Sequence, residues 1–250
     1  MKNDFAYADK LFSIVLDTIS TIRKSEAKNI QTAARMITKS ISEGGLVHIF
    51  GAGHSHLFAE DMAFRAGGLV PINPILDIDY TFMGGPASRS SRLERLEGFV
   101  DTLLESYEMH AGEVFIVMSQ SGRNHGPIEA ALYAKRKGLQ VIAVTSVEHS
   151  KNQSSRHPSG KQLFELADLV INNHGPVGDA AVELKTGQPK VSPISTILGS
   201  TILQSIVAEV AGSIMEKGDT PPVWMSQNMN GGDEHNEKMA SKYKSRIKSF

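Results

Sequence analysis

The 250-residue chain predicts a three-layer α/β/α sandwich on a five-stranded parallel sheet. Short apolar runs of strand length alternate with longer amphipathic segments along most of the chain. The later runs, 141–144 and 169–171, are apolar without alternation, as strands covered on both faces are. Two of the runs end in small-residue turns rich in glycine and serine, the form a parallel strand takes before its crossover helix.

Phe5, Leu11, Phe12, Val15, Leu16, Ile19 and Ile22 recur largely at three- and four-residue spacing, and Ile30, Ala34, Ile37 and Ile41 continue the pattern past a polar break. These are two amphipathic helices, the second stopped by Gly44 and Gly45. The elements expected next are strand 46–50, helix 55–66, strand 69–76, helix near 93–108, strand 114–118, helix 125–137, strands 140–145 and 168–172, and helix 194–216. Segment 77–91, with Gly84, Gly85 and Pro86, is a long connection able to cover a site, and Asp79 and Tyr80 near its start are placed to reach a ligand. Segment 146–161 is expected to be an exposed loop, and the tail from Gly218 irregular, then helical near 236–248. The chain is expected to form a single domain, with its core over about 30–215 and a C-terminal extension at 218–250.

Formal net charge is −1 with no basic run, which argues against a nucleic-acid partner. Cysteine is absent, so a disulfide framework, a thiolate metal site and a catalytic thiol are excluded. Asp4, Asp9, Lys10 and Asp17 interrupt the N-terminal apolar residues, so no signal-peptide core is present and a cytoplasmic location is expected. Segment 194–215 is long enough to span a bilayer, but Ser195, Ser200, Gln204, Ser205 and Glu209 favour a buried helix and no membrane association.

The first turn is Gly51-Ala52-Gly53-His54-Ser55-His56, and the second is Ser119-Gln120-Ser121-Gly122. Backbone N–H groups and serine hydroxyls in such turns bind anions, and the dipole of a helix beginning near Asn124 or His125 adds partial positive charge. A dinucleotide fingerprint would need glycine where His56 stands, although Asp77 lies at about the ribose-binding distance. No Walker loop is present, and a hydrolase elbow around Ser55 is broken by Leu57. Either turn alone reads as a tight connection; two on neighbouring strands read as a phosphate clamp.

These residues resemble the two signature turns of the SIS (sugar isomerase) phosphosugar-binding domain, with Thr145 and Ser146 after the fourth strand and Ala167 and Asp168 opening the fifth. The resemblance covers roughly 30–215. The Gly-His-Ser-His turn and the Arg65–Gly68 stretch are similar, more narrowly, to a bacterial group of single-SIS proteins akin to phosphoheptose isomerases. The resemblance implies a doubly wound, flavodoxin-like sheet and a homodimer or homotetramer. No metal or cofactor is expected. It implies a sugar phosphate held by Ser55, Ser119, Gln120, Ser121, Gly122, Thr145 and Ser146, with Gly51 and Gly53 shaping the first turn.

Aldose–ketose isomerisation needs a base that moves a proton between adjacent carbons and an acid or donor for the oxygens. Glu60, on the helix launched by the first turn, is the candidate base, with a helix-dipole carboxylate as the alternative; Asp61 beside it points about 100° away. In phosphoheptose isomerases the corresponding glutamate lies a turn or more further on, where this chain has Phe64 and Arg65. His54 and His56 are candidate acid or hydroxyl-binding groups, with simple turn-capping as one alternative and, together with His174, a metal centre as another. His125, Glu183 and His235 are weaker candidates, and His48 reads as a core histidine. The expected function is a sugar-phosphate isomerase; a non-catalytic phosphosugar sensor and a phosphosugar lyase or etherase are the alternatives.

Overall fold

Five strands form one wholly parallel sheet in the computed structural model, which describes residues 5–247 and 249. They are β1 (Val47–Gly51), β2 (Ile72–Pro74), β3 (Val114–Met118), β4 (Gln140–Thr145) and β5 (Leu169–Asn172). Their spatial order is β2-β1-β3-β4-β5, so the winding reverses between β1 and β3. In chain order the helices are α1 (Ala6–Ser25), α2 (Ala27–Ser42), α3 (His56–Met62), α4 (Ala87–Leu93) and α5 (Phe99–Leu104). After these come α6 (His125–Arg136), α7 (Val147–Lys151), α8 (Leu163–Leu166), α9 (Ser195–Glu216) and α10 (Gly232–Ala240). A small antiparallel pair, β6 (Ala180–Val182) and β7 (Val191–Pro193), precedes α9.

The unbroken apolar strands are explained by cover on both faces. Val47, Ile49, Val114, Ile116, Ile142 and Val144 enter one core with α2, α3 and α9, while Phe50, Phe115, Val117, Val141 and Ala143 enter the other with α5 and α6. The expected three-layer α/β/α architecture is therefore present. The polar break between α1 and α2 is Glu26, whose buried carboxylate accepts from Asn172 N–H (3.3 Å) and contacts His174 Nε2 (3.0 Å), tying both helices to the end of β5.

Several boundaries differ from expectation. The strand expected at 69–76 shrinks to β2 because the tail takes its first residues: Leu69 bridges to Val223, and Val70 N–H donates to Pro222 C=O. The helix expected at 55–66 ends at Met62, where Ala63 turns extended and Phe64 takes φ +40°. The helix expected near 93–108 is split into α4 and α5 by Gly98, at φ +77°, so part of the long connection is helical. The loop expected at 146–161 opens with α7, whose N-cap Ser146 accepts from His149 N–H. The tail helix α10 starts earlier than expected; Asp4 and Lys248 lie outside the described residues.

Among the described residues α9 is the one helix long and apolar enough to cross a membrane. Here Leu198, Ile202, Leu203, Ile206 and Val210 are buried in the first core, and α2 is its main neighbour. Gly199 is where α9 meets α3: a Cβ there would lie 2.4 Å from Phe58 Cζ. Overpacking costs about 1–3 kcal/mol, against about 1 kcal/mol gained in helix propensity. Gly199→Ala is expected to lower stability by a net ~1 kcal/mol in denaturant titration, and unchanged or raised stability would refute this packing.

At the opposite edge of the sheet from the serine turns, Glu113 accepts from five donors. They are Leu46 N–H (2.9 Å), His110 N–H (2.8 Å), His48 Nε2 (2.9 Å) and both terminal nitrogens of Arg246 (2.7 and 3.2 Å). Asn73 Nδ2 donates to His48 Nδ1 at 3.1 Å, so the fully buried His48 is the satisfied core histidine its strand position suggests. Burial alone would raise the Glu113 carboxyl, but these hydrogen bonds outweigh it and hold the carboxyl far below its ordinary range. Through Arg246 the C-terminal tail is fastened beneath β1 and β3.

Candidate functional site

Gly51 stands opposite Met118 in the β1–β3 pairing, so the two turns that follow leave the same sheet edge side by side. This is the crevice, at the reversal of strand order, where doubly wound sheets take ligands. Gly51 is required by the turn's tightness: a Cβ would sit 2.2 Å from the Ser55 carbonyl oxygen. Gly53, at φ +59°, begins a single 3₁₀ turn closed by Ser55 N–H to Ala52 C=O at 3.1 Å. The Ser55 hydroxyl has no partner among the described residues. His54 is exposed beside it, its ring edge-on to Phe82 with centroids 4.7 Å apart.

His56 points inward. Its Nε2 accepts Asp77 N–H at 3.2 Å, which leaves the proton on Nδ1 to be donated to Glu60 Oε1 at 2.9 Å. Both ring nitrogens are thereby engaged in the protein, and His56 acts on any ligand only through Glu60. The Glu60 side chain is 45% exposed and keeps its second oxygen unbonded. It lines an open groove of about 390 Å³ between α3 and the start of α9, with Leu57, Asp61, Thr196 and Ser200. Asp61 is drawn into bonds with Arg65 and Gln204, so Glu60 is the less encumbered of the two carboxylates.

In the second turn the hydroxyls divide into two kinds. Ser119 Oγ accepts Gly122 N–H at 3.1 Å, closing the turn while its own O–H stays available. Gly122 therefore has no N–H to offer; its role is conformational, with φ +58° and a would-be Cβ 3.2 Å from Leu163. Ser121 is half-buried, and its hydroxyl, like its N–H and that of Gln120, has no partner among the described residues. Thr145 and Ser146, expected to reach a phosphate, are fully buried instead. Thr145 Oγ1 donates to Gln120 C=O at 3.4 Å, and Ser146 Oγ to Gly175 C=O at 2.7 Å. They brace the turn from behind. Gln120 is likewise a brace, its amide oxygen accepting from Asn173 at 2.7 Å beyond β5.

Asn124 is the N-cap residue of α6, so the helix's first N–H groups and its positive end lie beside Ser121. Tyr80, expected to reach the ligand, is buried between Phe50 and Phe99, ring centroids 5.5 and 5.3 Å away, and burial pushes its hydroxyl well above the ordinary phenol range. Asp79 is paired with Arg89 at 2.7 Å. His174 is engaged with Glu26 and Ser25, away from His54, and among the described residues no three His, Asp or Glu side chains converge as a metal-binding set. Two neighbours of the second turn had no signal in spacing: Arg156, whose Nη1 donates to Asn124 Oδ1 at 2.8 Å, and Asn173.

Comparison with known proteins bears on this site. Residues 10–146 match the SIS domain family. The chain is 42% identical over 239 residues to a UPF0309 protein of Geobacillus thermodenitrificans, with 96% of each chain covered. It is 44% identical over 233 residues to a UPF0309 protein of Caldanaerobacter subterraneus, covering 92% of this chain and 94% of that one. Its fold matches a phosphoheptose isomerase from Neisseria gonorrhoeae with a TM-score of 0.54 at 16% identity, over 81% of this chain and 97% of the other. A phosphoheptose isomerase from Francisella tularensis matches with a TM-score of 0.55 at 15% identity, over 83% and 98%. At such identities the likeness is one of fold.

Proposed function

The chain belongs to the UPF0309 family of SIS-domain proteins, and from that premise we propose that it binds a sugar phosphate across the paired turns and isomerises it between aldose and ketose. One observation carries the reading: at the same sheet edge Ser55 and Ser121 keep unbonded hydroxyls, next to unpaired N–H groups and the positive end of α6. Neutral donors of this kind match phosphate oxygens without a lysine. In this reading Ser55, Ser119 and Ser121 grip the phosphate, and Gln120, Gly122, Thr145 and Ser146 hold the second turn in shape. Glu60 moves the proton, His56 orients it, and the exposed His54 serves the sugar oxygens. The protein works as a cytoplasmic homo-oligomer.

A phosphosugar sensor with the same clamp is the second reading. It is favoured by the end of α3 at Met62, beyond which Phe64 and Arg65 bring no further carboxylate. The test is a thermal-shift and calorimetric screen against hexose, hexosamine and heptose phosphates, followed by exchange of the C2 proton in heavy water. Ser55→Ala and Ser121→Ala are each expected to weaken the bound phosphosugar about tenfold, since a hydrogen bond to a charged group is worth about 1.5–3 kcal/mol. A phosphosugar whose affinity ignores both variants would remove the clamp. Binding without exchange would establish the sensor.

A further inference from the structure

Two residues past Ser121 begins a cluster of positive charge that the clamp does not use. Arg123 follows the second turn, Arg156 comes from the loop after α7, and Arg95 comes from the connection between α4 and α5. Arg95 and Arg156 are exposed and Arg123 is half-buried, so all three can be reached from solvent. Glu94 C=O accepts Gly126 N–H at 2.9 Å, which sets the adjacent Arg95 beside the first turn of α6, where Arg123 and Arg156 also stand; in keeping with this, partial desolvation and then the charges of Arg95 and Arg123 lower the Arg156 guanidinium from its ordinary range. Among the described residues none of the three forms an ion pair with a carboxylate. The nearby acid is Glu94, whose carboxyl is pushed up by burial and drawn back by Asn124, Arg95 and Arg156, and which lies outside ion-pair distance of all three arginines.

Neutral oxygens hold the cluster in place. Arg123 Nε donates to Ser154 C=O at 2.9 Å and its Nη1 to Gln153 Oε1 at 2.7 Å. Arg156 Nη1 donates to the buried Asn124 Oδ1 at 2.8 Å, and Arg156 N–H to Arg123 C=O at 2.8 Å. These bonds use Nε and Nη1 of Arg123 and Nη1 of Arg156, and leave further N–H donors of both guanidinium groups unengaged among the described residues. The His125 and His157 rings lie alongside, centroids 5.3 Å apart, and His125 Nδ1 is buried with no partner. All of this sits at the positive end of α6. Like charges gathered at a positive helix end repel one another, and neutral acceptors do not cancel that repulsion. A bound anion reverses the sign of each term.

We propose that Arg95, Arg123 and Arg156 form a second anion site beside the serine turn, one that takes a phosphate or carboxylate group. Its occupant is either a second acidic group on the sugar phosphate, a source that rests on the reading above, or a free anion, which does not depend on it.

Calorimetry of the full chain with inorganic phosphate tests the site. The wild type is expected to take two phosphates, and the Arg123→Ala/Arg156→Ala double variant to lose one, its affinity falling about tenfold or more. Ser55→Ala/Ser121→Ala is expected to lose the other. Because Arg123 also holds its loop, Arg95→Ala, whose side chain bonds to no described residue, provides a variant that spares the fold and should weaken the same site. Arg123→Lys/Arg156→Lys should retain it. If phosphate binding to the arginine-to-alanine variants equals that of the wild type, the proposal is wrong, whatever the serine variants do. If only the arginine variants lose phosphate, the clamp fails and the second site stands. A hexose bisphosphate that binds more tightly than the monophosphate, by a margin the arginine variants erase, identifies the sugar as the source. Inorganic phosphate still binding to protein saturated with hexose 6-phosphate identifies a free anion.

Discussion

Glu113→Ala is expected to cost about 3–5 kcal/mol, because it takes from the half-buried Arg246 guanidinium its buried partner, leaving it only the exposed Glu108 carboxylate at 3.3 Å, and strands two backbone N–H groups and His48 Nε2 as well. For a chain of this length the melting temperature should fall on the order of 10 °C. The pH dependence has a definite sign. Glu113 is held below its unfolded value, so its contribution is complete above the ordinary carboxylate range and is lost as pH falls through and below that range. His48, whose proton affinity is lowered chiefly by burial, begins the loss earlier: below about pH 6.5 the unfolded chain binds a proton that the folded one resists. Stability should therefore decline in two stages on acidification, and Glu113→Gln should flatten the lower stage while sparing the upper. Denaturant titrations across a pH series measure both. An alanine variant as stable as wild type at pH 7 would show that the tail is not fastened here.

What the sequence made legible follows from where the forces act. The strands 46–50 and 114–118 stand out because cover on both faces imposes a local composition, and the turns after them because Gly51 and Gly53 answer steric demands within five residues. Leu69 and Val70 are as apolar as Ile72, yet they leave the strand because Pro222 and Val223, far along the chain, bond to them. The hydroxyls of Ser121, Thr145 and Ser146 look alike in sequence. Only the packing of the loop after β5, which brings the Gly175 carbonyl to Ser146, decides that one faces the crevice and two face inward. Glu113 reads as a polar residue at a strand's edge until the tail delivers Arg246 to it. The four-residue spacing of His56 and Glu60 lets the two meet on a helix, but the Asp77 N–H that fixes the imidazole tautomer comes from beyond β2 and leaves no mark in that spacing.

Glu60→Gln is expected to slow exchange of the C2 proton of a bound phosphosugar by about 10²–10⁴-fold, the usual contribution of a positioned base. The geometry of the His56–Glu60 pair gives the reason. With Nε2 occupied by Asp77 N–H, His56 offers a single proton, at Nδ1, and a carboxylate takes it on one oxygen while the other stays open to the groove. A glutamine in the same place still accepts that proton but presents an amide NH₂ where the base should be, so binding should persist while exchange fails. His56→Phe fills the space and removes the donor; it should lower the exchange rate less and move its pH profile, as expected of a group that orients the base. Loss of binding together with exchange in Glu60→Gln would make Glu60 a ligand-holding group, and exchange at the wild-type rate would remove it from the chemistry and return attention to His54.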